Sequence, residues 1–296
     1  MEGAERQTLA SNLQAGSMKE AANLANGSGM TTEEIMGIAL EMAGQREIPP
    51  DSAIYVPGKD IRRVLFGIDM GVPELILAKD LGFDAVIAHH PQPAVLSFPD
   101  ILDLHVDIMV RNGVPESAAR KAIASLKEAN FMRGHSGNYD HAPSVARLLG
   151  MPYLNIHNPL DELGRRALQG AIDSRVGPDG TVADVVAALQ TVPALAAAPT
   201  KPFVAVGRPE NPAGKVVVAH GAGTNGGYEV AKTYFEYGIG TVVYIHLDYG
   251  ATTRLRAEDR GNVVVSGHIA SDKAGIDPFV EELERRGLVV ERMSGL

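Results

Sequence analysis

Two short apolar runs, and the helix-length stretch between them, set the fold class. Val64 to Ile68 is β-branched and apolar and ends in Asp69. Leu75 to Leu81 reads as a helix closed by Gly82. Phe83 to Ala88 is a second buried run that leads straight into His89-His90-Pro91. A strand, a helix and a strand with connections this short form a β-α-β unit, so the chain is α/β.

The same rhythm continues on both sides. Thr31 and Glu34 have capping-box spacing, and Ile35, Ile38, Ala39 and Met42 share one face, so a helix starts there and stops at Gly44. A long helical stretch covers roughly Ala118 to Asn130. Thr181 to Thr191, Tyr228 to Tyr237 and Ile276 to Arg286 read as helices. Phe203 to Val206, Val216 to Ala219, Val242 to Ile245, Val263 to Val265 and Leu288 to Val290 read as strands. The expected organisation is an extension over residues 1–30, a first α/β lobe over 31–140, and a second over 141–296 whose end returns to the first.

Composition narrows the function. A chain of 296 residues, 45% of them hydrophobic, can bury a large core. A formal charge of -9 disfavours a phosphate backbone as partner, so no nucleic acid is expected. With no cysteine there is neither a disulfide nor a thiolate site, and a metal must be held by His, Asp, Glu or water. The first 30 residues lack the apolar core of a secretory signal. The stretch Val185 to Ala198 is broken by Gln190, Thr191 and Pro193, too short to span a bilayer. A cytoplasmic protein without a membrane partner is expected.

Three segments carry chemistry. His89 and His90 stand where a buried strand ends, the usual place for sites in α/β sheets. His268 and Asp272 follow the β-branched run Val263 to Val265; four apart on a helix, they share a face and can reach one ion. His135 to His141 is a polar segment that includes Asp140. Oxygen and nitrogen ligands from strand ends suit Zn, Mn, Fe, Ni or Co. His246, in Tyr244-Ile245-His246-Leu247-Asp248, ends another strand and is a candidate for proton transfer with His135. His105, His157 and His220 read as ordinary histidines.

These blocks resemble, in order, those of the GTP cyclohydrolase I type 2 homologues, also called NIF-three-like or dinuclear-metal-centre hexameric proteins. Val86-Ile87-Ala88-His89-His90-Pro91 is similar to the family's His-His-Pro signature. Leu65 to Asp69, His135 to Asp140, Leu163-Gly164-Arg165, Gly221-Ala222-Gly223 and Gly267 to Asp272 resemble its other blocks. The resemblance covers about residues 31–296. It implies a fold of two interlinked α/β lobes with mixed sheets and a toroidal homohexamer. It also implies two divalent metal ions per chain on His89, His90, Asp140, His268 and Asp272. The function it implies is a metal-dependent hydrolase acting on a nucleotide or related small molecule. Asp272 stands where the family has Glu, and the His135–Asp140 spacing is one residue longer than the family's.

Two other readings stand beside this one. Gly221-Ala222-Gly223-Thr224-Asn225-Gly226 is a literal G-x-G-x-x-G that follows a strand and opens a helix, with Asp248 about 20 residues on. A dinucleotide-binding protein using the turn at 221–227 is therefore an alternative. A non-catalytic, metal-binding hexameric assembly protein is another.

Overall fold

The computed structural model describes residues 29–92 and 97–296; the expected N-terminal extension lies almost wholly outside these residues. Among the described residues, nine strands form two sheets. β1 (Ala53–Val56), β2 (Arg63–Gly67), β3 (Ala85–Ala88), β4 (Tyr153–Asn155) and β9 (Val289–Met293) make the first, in the order β1-β4-β3-β2-β9. β5 (Phe203–Val206), β6 (Val216–Val218), β7 (Thr241–Tyr244) and β8 (Asn262–Val265) make the second, in the order β5-β8-β7-β6. The two orders are the same topology, with β9 added to the first. In each sheet one edge strand, β1 or β5, runs antiparallel and the others are parallel. These are the two interlinked α/β lobes with mixed sheets that the sequence leads one to expect.

Local signals explain the helices. Thr31 caps the Thr32–Ala43 helix in a complete capping box, and Gly44 ends it in the left-handed conformation at φ 71. Thr181 with Asp184 does the same for the Val182–Leu189 helix. The helix expected over Ala118 to Asn130 is longer, Glu116–Ser136, and carries His135 within its last turn.

The lobes interlock through two helices. The Asn158–Asp173 helix follows β4 of the first sheet, yet its Leu168 and Ile172 pack with Val218, Val243 and Val264 of the second. The His268–Arg285 helix follows β8 of the second sheet, yet its Ile276, Phe279 and Val280 pack with Phe66, Ile87 and Leu154 of the first. Phe66 and Phe279 meet edge to face at 6.2 Å between ring centres. Each helix is apolar on two sides because it faces two sheets. Among the described residues no helix is long and apolar enough to cross a membrane.

Candidate metal centre

The C-terminal ends of the parallel strands converge. Asp69 follows β2, His89 and His90 follow β3, and His157 follows β4. His220 follows β6, His246 follows β7 and His268 follows β8. Strand ends in α/β sheets release the chain from the ladder, so their side chains can point into the crevice between lobes. The helices after β4 and β8 add Asp161 and Asp272, each four residues after a histidine and on its face. The two segments share a pattern, His157-Asn158-Pro159-Leu160-Asp161-Glu162-Leu163-Gly164 and His268-Ile269-Ala270-Ser271-Asp272-Lys273-Ala274-Gly275. Each lobe thus contributes one His-x-x-x-Asp-x-x-Gly turn.

His89 is fully buried, and Asp161 and Asp272 are 3% and 1% exposed. His89 Nε2 lies 3.2 Å from Asp161 Oδ1 and 3.8 Å from Asp272 Oδ2. Asp272 Oδ2 is also 3.6 Å from His90 Nε2 and 3.4 Å from His268 Nε2. Asp161 lies 3.7 Å from His157 Nε2 and 3.6 Å from His220 Nε2. Three overlapping sets, His89/His90/His157, His90/His268/Asp272 and His89/Asp161/Asp272, each bring their ligand atoms within 4.8 Å of one another.

A layer behind fixes which nitrogen faces inward. His89 Nδ1 is 3.0 Å from the Ile156 carbonyl, which can only accept, so Nδ1 carries the proton and Nε2 offers a lone pair. His90 Nδ1 meets Asp69 at 2.7 Å, and His157 Nδ1 meets Asp51 at 2.7 Å. Carboxylates and carbonyls behind imidazoles are the usual support of metal-ligating histidines.

The charge states of Asp161, Asp272 and His268 fit a cation. Burial alone would raise Asp161, but His157 and His220 beside it hold it well below the ordinary range. Asp272 is likewise held low against its burial, chiefly by His90 and His89. Burial pushes His268 down to about 4, so its imidazole is neutral near pH 7. His157 is pushed the other way: burial disfavours its charge, but Asp161 and Asp51 outweigh that and raise it to about 9. His89 Nε2, Asp161 Oδ1, Asp272 Oδ2 and His220 Nε2 are buried with no hydrogen-bond partner. Such atoms are costly to bury unsatisfied. Ionised carboxylates and an imidazole lone pair converging without a donor are what a divalent cation satisfies. The cluster can hold a metal ion.

No protein-family model matches the chain, and no curated protein does. Among solved structures, a NIF3 superfamily protein from Sphaerobacter thermophilus is 52% identical with a TM-score of 0.87, over 91% of this chain and 100% of that one. The chain belongs to the NIF3 superfamily. Two more distant structures share the fold alone. Reduced HcgD from Methanocaldococcus jannaschii matches at 14% identity and TM-score 0.57, over 89% of this chain and 97% of that one. The protein ybgI matches at 15% and 0.52, over 90% and 98%.

In this NIF3 superfamily member, His89, His90, His268 and Asp272 lie together in one cluster. Asp140 and His135 are not brought to the cluster. Asp140 precedes the His141–Leu149 helix and is held by Arg147 at 2.6 Å, half-exposed. His135 is exposed, its ring 6.1 Å from that of Phe131. Asp161, His157 and His220 are in the cluster, although the two histidines read as ordinary in the sequence. The repeated His-x-x-x-Asp-x-x-Gly pattern is a signal that could have found His157 and Asp161 in the sequence.

The glycine-rich turn has structural uses. Gly223 has φ +80, and a Cβ there would lie 2.3 Å from Ile101 and 3.3 Å from Phe98. Asn225 Oδ1 accepts from Gly227 N–H, and Asp248 caps its own helix by accepting from Ala251 N–H. The Asn225 amide is thereby oriented, so its Nδ2 donates to His246 Nδ1 at 2.9 Å. His246 then carries its proton on Nε2. Burial also pushes His246 down, keeping it neutral.

Proposed function

We propose that this protein is a metal-dependent hydrolase with two divalent ions per chain, acting on a nucleotide or related small molecule. The GTP cyclohydrolase type 2-like activity implied by resemblance is the specific form of that reading. The observation that carries it is the donor set: His89, His90, His157, Asp161, His220, His268 and Asp272 present more ligand atoms than one four-coordinate ion uses. Asp272, within reach of His89, His90 and His268, would hold metal together with them. The chemistry supplied there would be Lewis-acid activation of water and polarisation of the substrate.

The chain's own residues do the rest. Asp51, Asp69 and the Ile156 carbonyl orient the imidazoles from behind. His246 holds a proton at Nε2 on the wall of a small cavity above the cluster, where it can donate to a leaving group. Metal is Zn, Mn, Fe, Ni or Co on ligand chemistry. A homohexamer is part of the same proposal, tested by light scattering.

The test is hydrolysis of a panel of nucleotides and phosphoesters. Turnover that stops on chelation and returns with one of those metals supports the reading. A metal-loaded assembly without turnover on any of them would favour the non-catalytic assembly role.

A further inference from the structure

The cavity above the cluster holds about 190 Å³, below the range of pockets that enclose a whole drug-sized ligand. Its floor is the cluster, and Phe98, Asn130, Arg133, Thr224 and His246 form its walls and rim. Arg133 is the one Lys or Arg among the lining residues, and it has no ion-pair partner among the described residues. The cavity's two carboxylates, Asp161 and Asp272, are buried among imidazoles. On a chain of net charge -9, an unpaired guanidinium at the mouth of a cation-binding cluster is a local inversion of sign. His246 adds an Nε2–H donor whose direction Asn225 fixes.

We infer that this cavity recognises a phosphate group of the substrate, with Arg133 as a specificity-determining donor and His246 as a second. The inference rests on the proposed metal site, which forms the third side. Donors from rim and wall, with a cation held at the floor, would suit a tetrahedral dianion, whereas a planar carboxylate has only two oxygens to offer. The volume admits that group but does not enclose a whole nucleotide. The remainder of a nucleotide-sized substrate would lie outside.

The experiment is calorimetric titration of inorganic phosphate, with acetate as comparison, into the full-length metal-loaded protein. Arg133→Gln, Arg133→Lys and wild type are compared, with metal content and melting temperature measured on each. We expect phosphate to bind the wild type at least tenfold more tightly than acetate. Arg133→Gln should weaken phosphate at least tenfold, and Arg133→Lys less, with metal content and melting temperature unchanged. Equal phosphate affinity in Arg133→Gln and wild type, or equal affinity for acetate and phosphate, would overturn the inference. A metal-loaded wild type that binds no phosphate would overturn it and leave the metal site standing. Arg133-dependent phosphate binding in a protein that takes up no metal would support the anion subsite and remove the hydrolase reading.

Discussion

Gly164 and Gly275 meet backbone to backbone, and each lies one helical turn beyond a buried aspartate. A Cβ on Gly275 would fall on the Leu160 carbonyl and 2.7 Å from Gly164 N; one on Gly164 would lie 2.8 Å from the Ser271 carbonyl. Asp161 and Gly164 share a face of one helix, as Asp272 and Gly275 do of the other. The closeness of the crossing therefore sets how near the two carboxylates come.

That relationship gives the first prediction. Gly275→Ala should destabilise the protein by about 3 kcal/mol or more, because backbone rather than a flexible side chain must move. Gly37→Ala is the contrast. Gly37 is exposed within the Thr32–Ala43 helix and a Cβ there meets nothing within 4 Å, so this change should stabilise by about 0.5–1 kcal/mol. Urea denaturation of both variants reads the difference.

Asp161→Asn and Asp140→Asn should separate cleanly. Asp161 faces the cluster, and its loss should weaken metal binding at least about tenfold. Asp140 pairs with Arg147 at the surface, an interaction of at most about 1 kcal/mol, so metal content should stay at the wild-type level. Metal titration with a fluorescent competitor measures both; loss of metal in Asp140→Asn would mean that Asp140 reaches a site this chain alone does not form.

Asp51→Asn keeps the shape beside His157 but removes the charge that orients and raises it. Metal affinity should drop about 10–100-fold while the fold persists. Unchanged affinity would mean that His157 is not a ligand.

His105 carries a pH signature outside the cluster. Its Nε2–H donates to the Thr224 carbonyl, and burial holds it down to about 4, below the ordinary 6.5. The unfolded chain therefore takes up this proton first as pH falls. The stability tied to neutral His105 is complete above pH 6.5 and is lost between about 6.5 and 4, up to about 3 kcal/mol. His105→Gln retains a donor towards Thr224 without titrating. Its stability should change less with pH over that window; identical pH curves would contradict the assignment.

Much of the architecture was legible because its signals are local. Thr31 with Glu34 announces a helix start, Gly44 its stop, and β-branched runs such as Val263 to Val265 announce buried strands. His89 and His90 stand out because a strand delivers them. What was not legible depended on tertiary pairing. The Asn158–Asp173 helix follows a three-residue strand, and its Leu160, Leu168 and Ile172 serve two different cores. Its His157 and Asp161 gain meaning only when the second lobe brings His220 and Asp272 opposite. Asp140 is the converse case: nothing in its own segment shows that Arg147, two turns on, occupies its carboxylate.

The most direct test of the central claim is metal content by elemental analysis of tag-free protein purified without chelator. His89→Ala/His268→Ala and Asp161→Asn would be measured beside it. The account predicts about two ions per chain in the wild type, the number a two-metal hydrolase needs, and their loss in the variants. No uptake by the wild type, even after incubation with Zn, Mn, Fe, Ni and Co, would contradict it.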